Sequence, residues 1–400
     1  MAARAALTPA PVVLDLDGLD RLIEVLEQRG WRVLGPTVRD GAVVPGPVHG
    51  VADLPRGVAD DQQPGRYRLH PRDDAALFGF ASAATSWKPV LFPSRQLLWT
   101  GVRRRPDGAA APAASDGFDA SVPDEPAPRQ ALLGVRACDL AAIGVQDRVL
   151  AQRWGAHPAT DRHYSQRRAS TFVVAVACGH PSDTCFCTST GTGPEPGDGY
   201  DLALTEVLDV DGHRFVVRVG TEAGAQLLAA VPTRQADPED LQAADAVVAA
   251  AREAIARHLR TEGLPALLDA EVEHPQWDEV AERCLACGNC TAVCPTCFCT
   301  SVQDVTDLGG QRTERWRVWD SCFSAGISYV HGGPIRSSTK SRYRQWMSHK
   351  LGTWQAQYAT GGCVGCGRCL TWCPVGIDLT AEAAALQRTA RTRAHRAQEA

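Results

Sequence analysis

The sequence predicts an α/β amino-terminal domain followed by a smaller α+β domain built on cysteine-rich loops and carrying a long insertion. Three observations predict it. Two apolar runs, ALLGVRA (131–137) and TFVVAVA (171–177), flank a helical pattern at 139–153, the order of a parallel βαβ unit. One cysteine spacing occurs twice in the last third of the chain, at 284–294 and 363–373. The stretch RRRPDGAAAPAASDGFDASVPDEPAPR (103–129) holds too few large apolar groups to repay ordering, and reads as a flexible surface insertion at about 104–128. The boundary is placed near 270, giving domains 1–270 and 271–400, the second with its own insertion at about 300–355.

Taken in order, Asp17 caps a helix running to Arg29, with Leu19, Leu22, Ile23 and Leu26 on one face and Gly30 as its stop. The strand WRVLGPTV follows. After the βαβ unit come two more strands, YDLALTEV and HRFVVRVG, then a helix opened by Asp237 and Pro238 and running to about Arg260. The cysteine-rich region begins near His274, and a helix from Thr380 closes the chain.

Composition excludes several classes. A formal net charge of -5 gives no reason to expect nucleic acid or an anionic membrane as partner. The opening MAARAALTPAPVVLDLDG lacks the features of a secretory signal, and no segment approaches a bilayer-spanning length, so a cytoplasmic protein is expected. Fifteen cysteines in a reducing compartment then demand metal ligation or redox chemistry rather than disulfides.

Cys284, Cys287, Cys290 and Cys294 with Pro295 spell CxxCxxCxxxCP, and Cys363, Cys366, Cys369 and Cys373 with Pro374 spell it again. In this pattern three thiolates hold three corners of one [4Fe-4S] cube, while the fourth cysteine reaches the other cluster. The expected sets are therefore crossed: Cys284, Cys287, Cys290 and Cys373 on one cluster, Cys363, Cys366, Cys369 and Cys294 on its neighbour. Crossing makes both halves pack as one dicluster ferredoxin-like α+β domain. Gly288, Gly365 and Gly367 can bring backbone N–H groups to the sulfurs and so tune the potentials. Structural zinc is the bland alternative, in a scaffold without redox activity, but zinc sites use four ligands in separated pairs and would leave thiolates over. The basic stretch TKSRYRQWMSHK (339–350) reads as a solvated helix face, or else as a dock for an acidic partner.

Cys138, Cys178, Cys185, Cys187, Cys297, Cys299 and Cys322 remain. Cys138 and Cys178 fall just beyond the carboxyl ends of the two parallel strands, where such sheets place ligands. The hexapeptide TCFCTS occurs at 184–189 and again at 296–301, so each domain carries one CxC pair, and a site shared between them is conceivable. A third cluster is hypothesised on Cys138, Cys178, Cys185 and Cys187, with Cys297, Cys299 and Cys322 as competitors. The opposing reading is that of reduced thiols packing as small hydrophobes. No nucleotide-binding or hydrolase motif is present, and the histidines, His180 and His331 included, show no ligand spacing. Catalytic residues are accordingly assigned to none, and electrons must be delivered and removed by other proteins or a small carrier.

GVRACDLAAIGVQD, CGHPSDTCFC, EHPQWDEVAERCLACGNCTAVCPTCFC, RWRVWDSC and CVGCGRCLTWCPVGID together resemble the beta subunit of cytosolic nickel-iron hydrogenases of the sulfhydrogenase type, to which the A subunit of anaerobic sulfite reductase is similar. The resemblance spans Leu132 to Asp378 and includes all seven extra cysteines. It implies an electron-transfer subunit in a soluble complex, with a flavin subunit handling NAD(P)H and small and large hydrogenase subunits activating hydrogen. Service to an anaerobic sulfite reductase is the alternative. HGGPIRSSTKSRYR stands where the family has a more aromatic HNFRP-like run, and the insertion at 104–128 is longer than the family's.

Overall fold

The computed structural model describes residues 10–104, 117–123, 126–152 and 160–399, with side chains to 390. An eight-stranded sheet organises the amino-terminal part, in the order Arg234–Gln235, Val12–Leu14, Gly212–Val219, Leu202–Asp209, Thr171–Val176, Gln130–Arg136, Arg32–Arg39, Ala42–Pro47. Its four central strands are parallel, with Leu132 level with Val173 and Leu202 level with Val174, and the outer pairings are antiparallel. The run TFVVAV is buried throughout, as a strand covered on both faces must be.

The helix Leu16–Gln28 seals one face through Leu19, Leu22, Ile23 and Leu26. Its cap is Asp15 rather than Asp17. Asp15 holds extended backbone and its carboxylate accepts the Gly18 N–H at 2.8 Å, which places Asp17 already inside the first turn. On the other face lie Leu140 and Ile143 of the crossover helix. That helix spans Ala137–Gln146 and widens into a π-helical turn at Asp147–Ala151; residue 153, the last expected in it, falls outside the described residues. The helix Pro238–Ala254 has the expected start, a capping box between Asp237 and Asp240, but stops short of Arg260. Beyond it the chain turns extended to bury Ile255 and Leu259 and to let Arg257 donate to the Asp183 carbonyl and pair with Asp378.

A second sheet joins distant parts of the sequence. Thr300–Thr306 and Arg312–Trp319 form a hairpin whose second strand pairs with Arg95–Arg103, and Phe118–Ser121 completes the row. Residues 118–121, read as flexible insertion, are thus a strand paired with Thr100–Arg103, while 105–116 and 124–125 lie outside the described residues. Trp277, Tyr343, Trp346, Met347, Leu370 and Leu379 form the core under the cysteine loops. Among the described residues no helix is long and apolar enough to cross a membrane.

Candidate metal centre

The two cysteine loops are copies of one local design. Each turns through residues of positive φ, Ala286 (52°) and Gly288 (77°) in the first, Gly365 (62°) and Gly367 (75°) in the second. Each then opens a single helical turn, Asn289–Ala292 or Arg368–Thr371, bearing the third cysteine. Cys284, Cys287, Cys290 and Cys373 line one cavity, which Cys369 also lines. Cys284 and Cys290 lie within electrostatic reach of both Cys287 and Cys373. Cys369 lies likewise close to Cys363, Cys366 and Cys294, and next to Cys290 of the other set. The fourth cysteine of each motif therefore sits with the other motif's trio.

Several donors address these sulfurs. Backbone N–H groups of Ala286, Gly365 and Ile377 donate to Cys284, Cys363 and Cys373 at 3.4, 3.5 and 3.3 Å. Of the three glycines expected to bring N–H groups to the sulfurs, Gly365 donates to Cys363, and Gly365 and Gly367 also sit against a neighbouring loop. A Cβ on Gly365 would stand 2.6 Å from the backbone of Cys187, and one on Gly367 2.4 Å from the Thr184 carbonyl, because the loop 184–187 lies flush against them. Phe186 N–H donates to the Gly365 carbonyl at 2.8 Å across that seam.

Lys350 escapes the sequence reading. Its ammonium is buried and donates to Cys294 Sγ at 3.3 Å, Thr296 Oγ1 at 3.2 Å and the Gly362 carbonyl at 3.2 Å. Neighbouring thiols hold its pKa well above the ordinary range against the pull of desolvation. The stretch 339–350 is therefore neither a free solvated face nor a free dock. Tyr343, Trp346 and Met347 are buried, Lys340 pairs with Glu273 and Asp278, and Arg344 pairs with Glu273. Arg368 and Asp139 also went unread. They form a fully buried bidentate pair at 2.8 Å, linking the second cysteine loop to the crossover helix. Their spacing of 229 residues leaves no local signal.

The seven remaining cysteines fall into two groups. Cys138, Cys178, Cys185 and Cys187 line one cavity at the carboxyl ends of the parallel strands. Burial pushes Cys185 up to about 12, and the Cys138 and Cys187 thiols up as well. Cys297, Cys299 and Cys322 line another cavity beside Lys350, with Cys299 and Cys322 sulfurs 3.7 Å apart. Among the described residues the two CxC pairs line separate cavities, rather than the shared site the repeat suggests.

Thiols fit iron-sulfur cubes on two further counts. The Tyr343 hydroxyl and the Trp346 indole N–H are buried without a partner and line the cavity of the first set, where sulfur could accept from them. Two trios of thiols in step, each with a further thiol beside it, also suit polynuclear centres, because zinc sites take four ligands in separated pairs. A coordinating thiol is deprotonated by the metal's own charge, so the raised thiol pKa values are no obstacle.

The family model of the 4Fe-4S dicluster domain matches residues 283–377, which brings two [4Fe-4S] clusters to this chain. Sulfhydrogenase 2 subunit beta of Pyrococcus furiosus is 35% identical over 250 residues, covering 62% of this chain and 71% of that protein. No solved structure matches. With two [4Fe-4S] clusters and that likeness over most of the relative's length, the chain belongs to the sulfhydrogenase beta-subunit family, as an iron-sulfur electron-transfer subunit.

Proposed function

We propose that this chain relays single electrons inside a soluble, cytoplasmic, NAD(P)-linked nickel-iron hydrogenase complex, between a flavin subunit and the small and large hydrogenase subunits. The observation that carries the reading is that Cys373 lies with Cys284, Cys287 and Cys290, and Cys294 with Cys363, Cys366 and Cys369. Cys284, Cys287, Cys290 and Cys373 hold one cluster, and Cys363, Cys366, Cys369 and Cys294 the other. When bound, each cluster stores one electron with little change in geometry, which suits relay rather than substrate chemistry.

The residues divide the work. Cys287 is exposed, and the apolar Leu285 and Val375 beside it are 64% and 41% exposed. This edge is where a partner's redox group exchanges electrons with the first cluster. Cys290 and Cys369 lie close together and bring the two clusters side by side. Trp277, Tyr343, Trp346 and Leu370 belong to the buried core packed against the cysteines of both sets, which keeps that side of the centre dry. The chain is organised as an α/β domain to about 270 and a split ferredoxin-like α+β domain over 271–400, whose insertion at about 300–355 lends a hairpin to the sheet shared with Arg95–Arg103.

Affinity isolation of the native complex under anaerobic conditions tests the reading. A co-purifying nickel-iron large subunit and a flavin subunit are expected. A siroheme subunit in their place assigns the relay to a sulfite reductase and overturns the hydrogenase assignment.

A further inference from the structure

We propose that Cys138, Cys178, Cys185 and Cys187 hold a third [4Fe-4S] cluster, set directly behind the second ferredoxin-type cluster. The relay reading supplies its role, but its ligands lie wholly outside the dicluster region.

Four thiols of distant sequence line one small cavity. Cys138 opens the crossover helix just after the strand Gln130–Arg136, and Cys178 follows the neighbouring parallel strand Thr171–Val176. Ligand sites of parallel sheets lie at such strand ends. Cys185 and Cys187 come from a loop anchored at two points. Cys185 donates its N–H to the Ser182 carbonyl at 3.0 Å, and Phe186 anchors the middle to Gly365. Thiols that merely packed as small hydrophobes would lie scattered through the core. These four, from three separate segments, instead converge on one cavity.

The charge of the cavity wall points the same way. Arg136 lines it at 2% exposure, and its guanidinium donates only to neutral carbonyls, those of Phe78, Phe80, Ala81 and Ala177, at 2.6 to 3.1 Å. Among the described residues it forms no ion pair. Asp60 lies within its field, but that carboxylate is taken up by Gln62 Nε2 and the Ala81 N–H, and burial pushes it towards the neutral form. A buried cation lacking a counter-charge is costly. A cube bearing four thiolates carries net negative charge and would supply one.

Position then gives the site its use. Gly365 and Cys366, the latter a ligand of the second cluster, line the same cavity. The seam between Cys187 and Gly365 has no room for a Cβ, and the Thr184 and Thr371 hydroxyls bond across it at 2.9 Å. One electron leaving the second cluster would reduce the third across that contact, each centre changing by one electron and no proton or atom being transferred. The competing Cys297, Cys299 and Cys322 offer three thiols rather than four.

Iron and acid-labile sulfide counts on the anaerobically isolated full chain, with an anomalous difference map at the iron edge, test the proposal. The wild type should hold about twelve irons, and the double variant Cys185→Ser/Cys187→Ser about eight, with the EPR signals of the ferredoxin-type pair kept. Should the double variant fail to fold, the wild-type map decides, with iron expected amid the four sulfurs. About eight irons in the wild type, zinc in this cavity, or a loss of about four irons only in Cys299→Ser/Cys322→Ser would overturn it. Iron at the ferredoxin-type positions and none here would sink the third cluster alone. No iron anywhere would sink the relay as well.

Discussion

The two cysteine loops share a spacing and a backbone path yet occupy opposite surroundings. In the first, Leu285 is 64% exposed and Cys287 is open to solvent; at the matching positions of the second, Val364 is 3% and Cys366 8% exposed. Position three is Ala286 in the first loop and Gly365 in the second, both at positive φ. Only the second faces a neighbouring backbone at a distance that forbids a side chain. Position six is the exposed Asn289 in one and the fully buried Arg368 in the other. The motif is shared; the surroundings leave the first loop open to solvent and build the second into the protein.

The comparison breaks most severely if removing one ligand from each loop has equal consequences. Cys369→Ala and Cys290→Ala should each lose about four irons per chain, and Cys369→Ala should also lower thermal stability more, because its loop is clamped to the sheet domain. Retention of both clusters in either variant, measured by iron analysis, would refute the ligand assignment. Next comes the clamp itself. Asp139→Ala leaves Arg368 buried and unpaired and should cost about 3–5 kcal/mol in denaturant unfolding. A loss below about 1 kcal/mol would show that the second loop is not held in this way.

Smaller effects sharpen the contrast. Gly365→Ala should destabilise by about 2 kcal/mol or more, since the added methyl meets the Cys187 backbone, whereas Ala286→Gly should stay within about 1 kcal/mol of wild type. Equal effects in paired melts would contradict the seam. Lys350→Met removes a buried positive charge from Cys294 and should move one cluster's potential on the order of 100 mV more negative, leaving the other nearly unchanged. Spectroelectrochemical titration reads both at once, and a common shift would place Lys350 between the clusters instead.

Much of this was legible in the sequence, and the reason is local. The strand TFVVAV, the capping box at Asp237 and the cysteine spacing each carry their physics within a few residues. That Cys294 and Cys373 lie beside the other motif's trio is an arrangement the motif itself leads one to expect, and the ligand sets proposed from it rest on that placement. What stayed hidden depends on partners far along the chain. Lys350 looks like any member of a basic stretch until the fold brings Cys294 beneath it. Arg368 and Asp139 are ordinary charges until they meet, and the hairpin 300–319 declares no allegiance to Arg95–Arg103. The cap at Asp15 rather than Asp17 is a choice between two acceptable residues that only the backbone resolves.

The most direct test of the central claim is an anomalous difference map at the iron edge from crystals of the anaerobic protein. The account predicts one four-iron cube bonded to Cys284, Cys287, Cys290 and Cys373 and another bonded to Cys363, Cys366, Cys369 and Cys294. Cubes ligated by the four cysteines of a single motif, or zinc in place of iron, would contradict it.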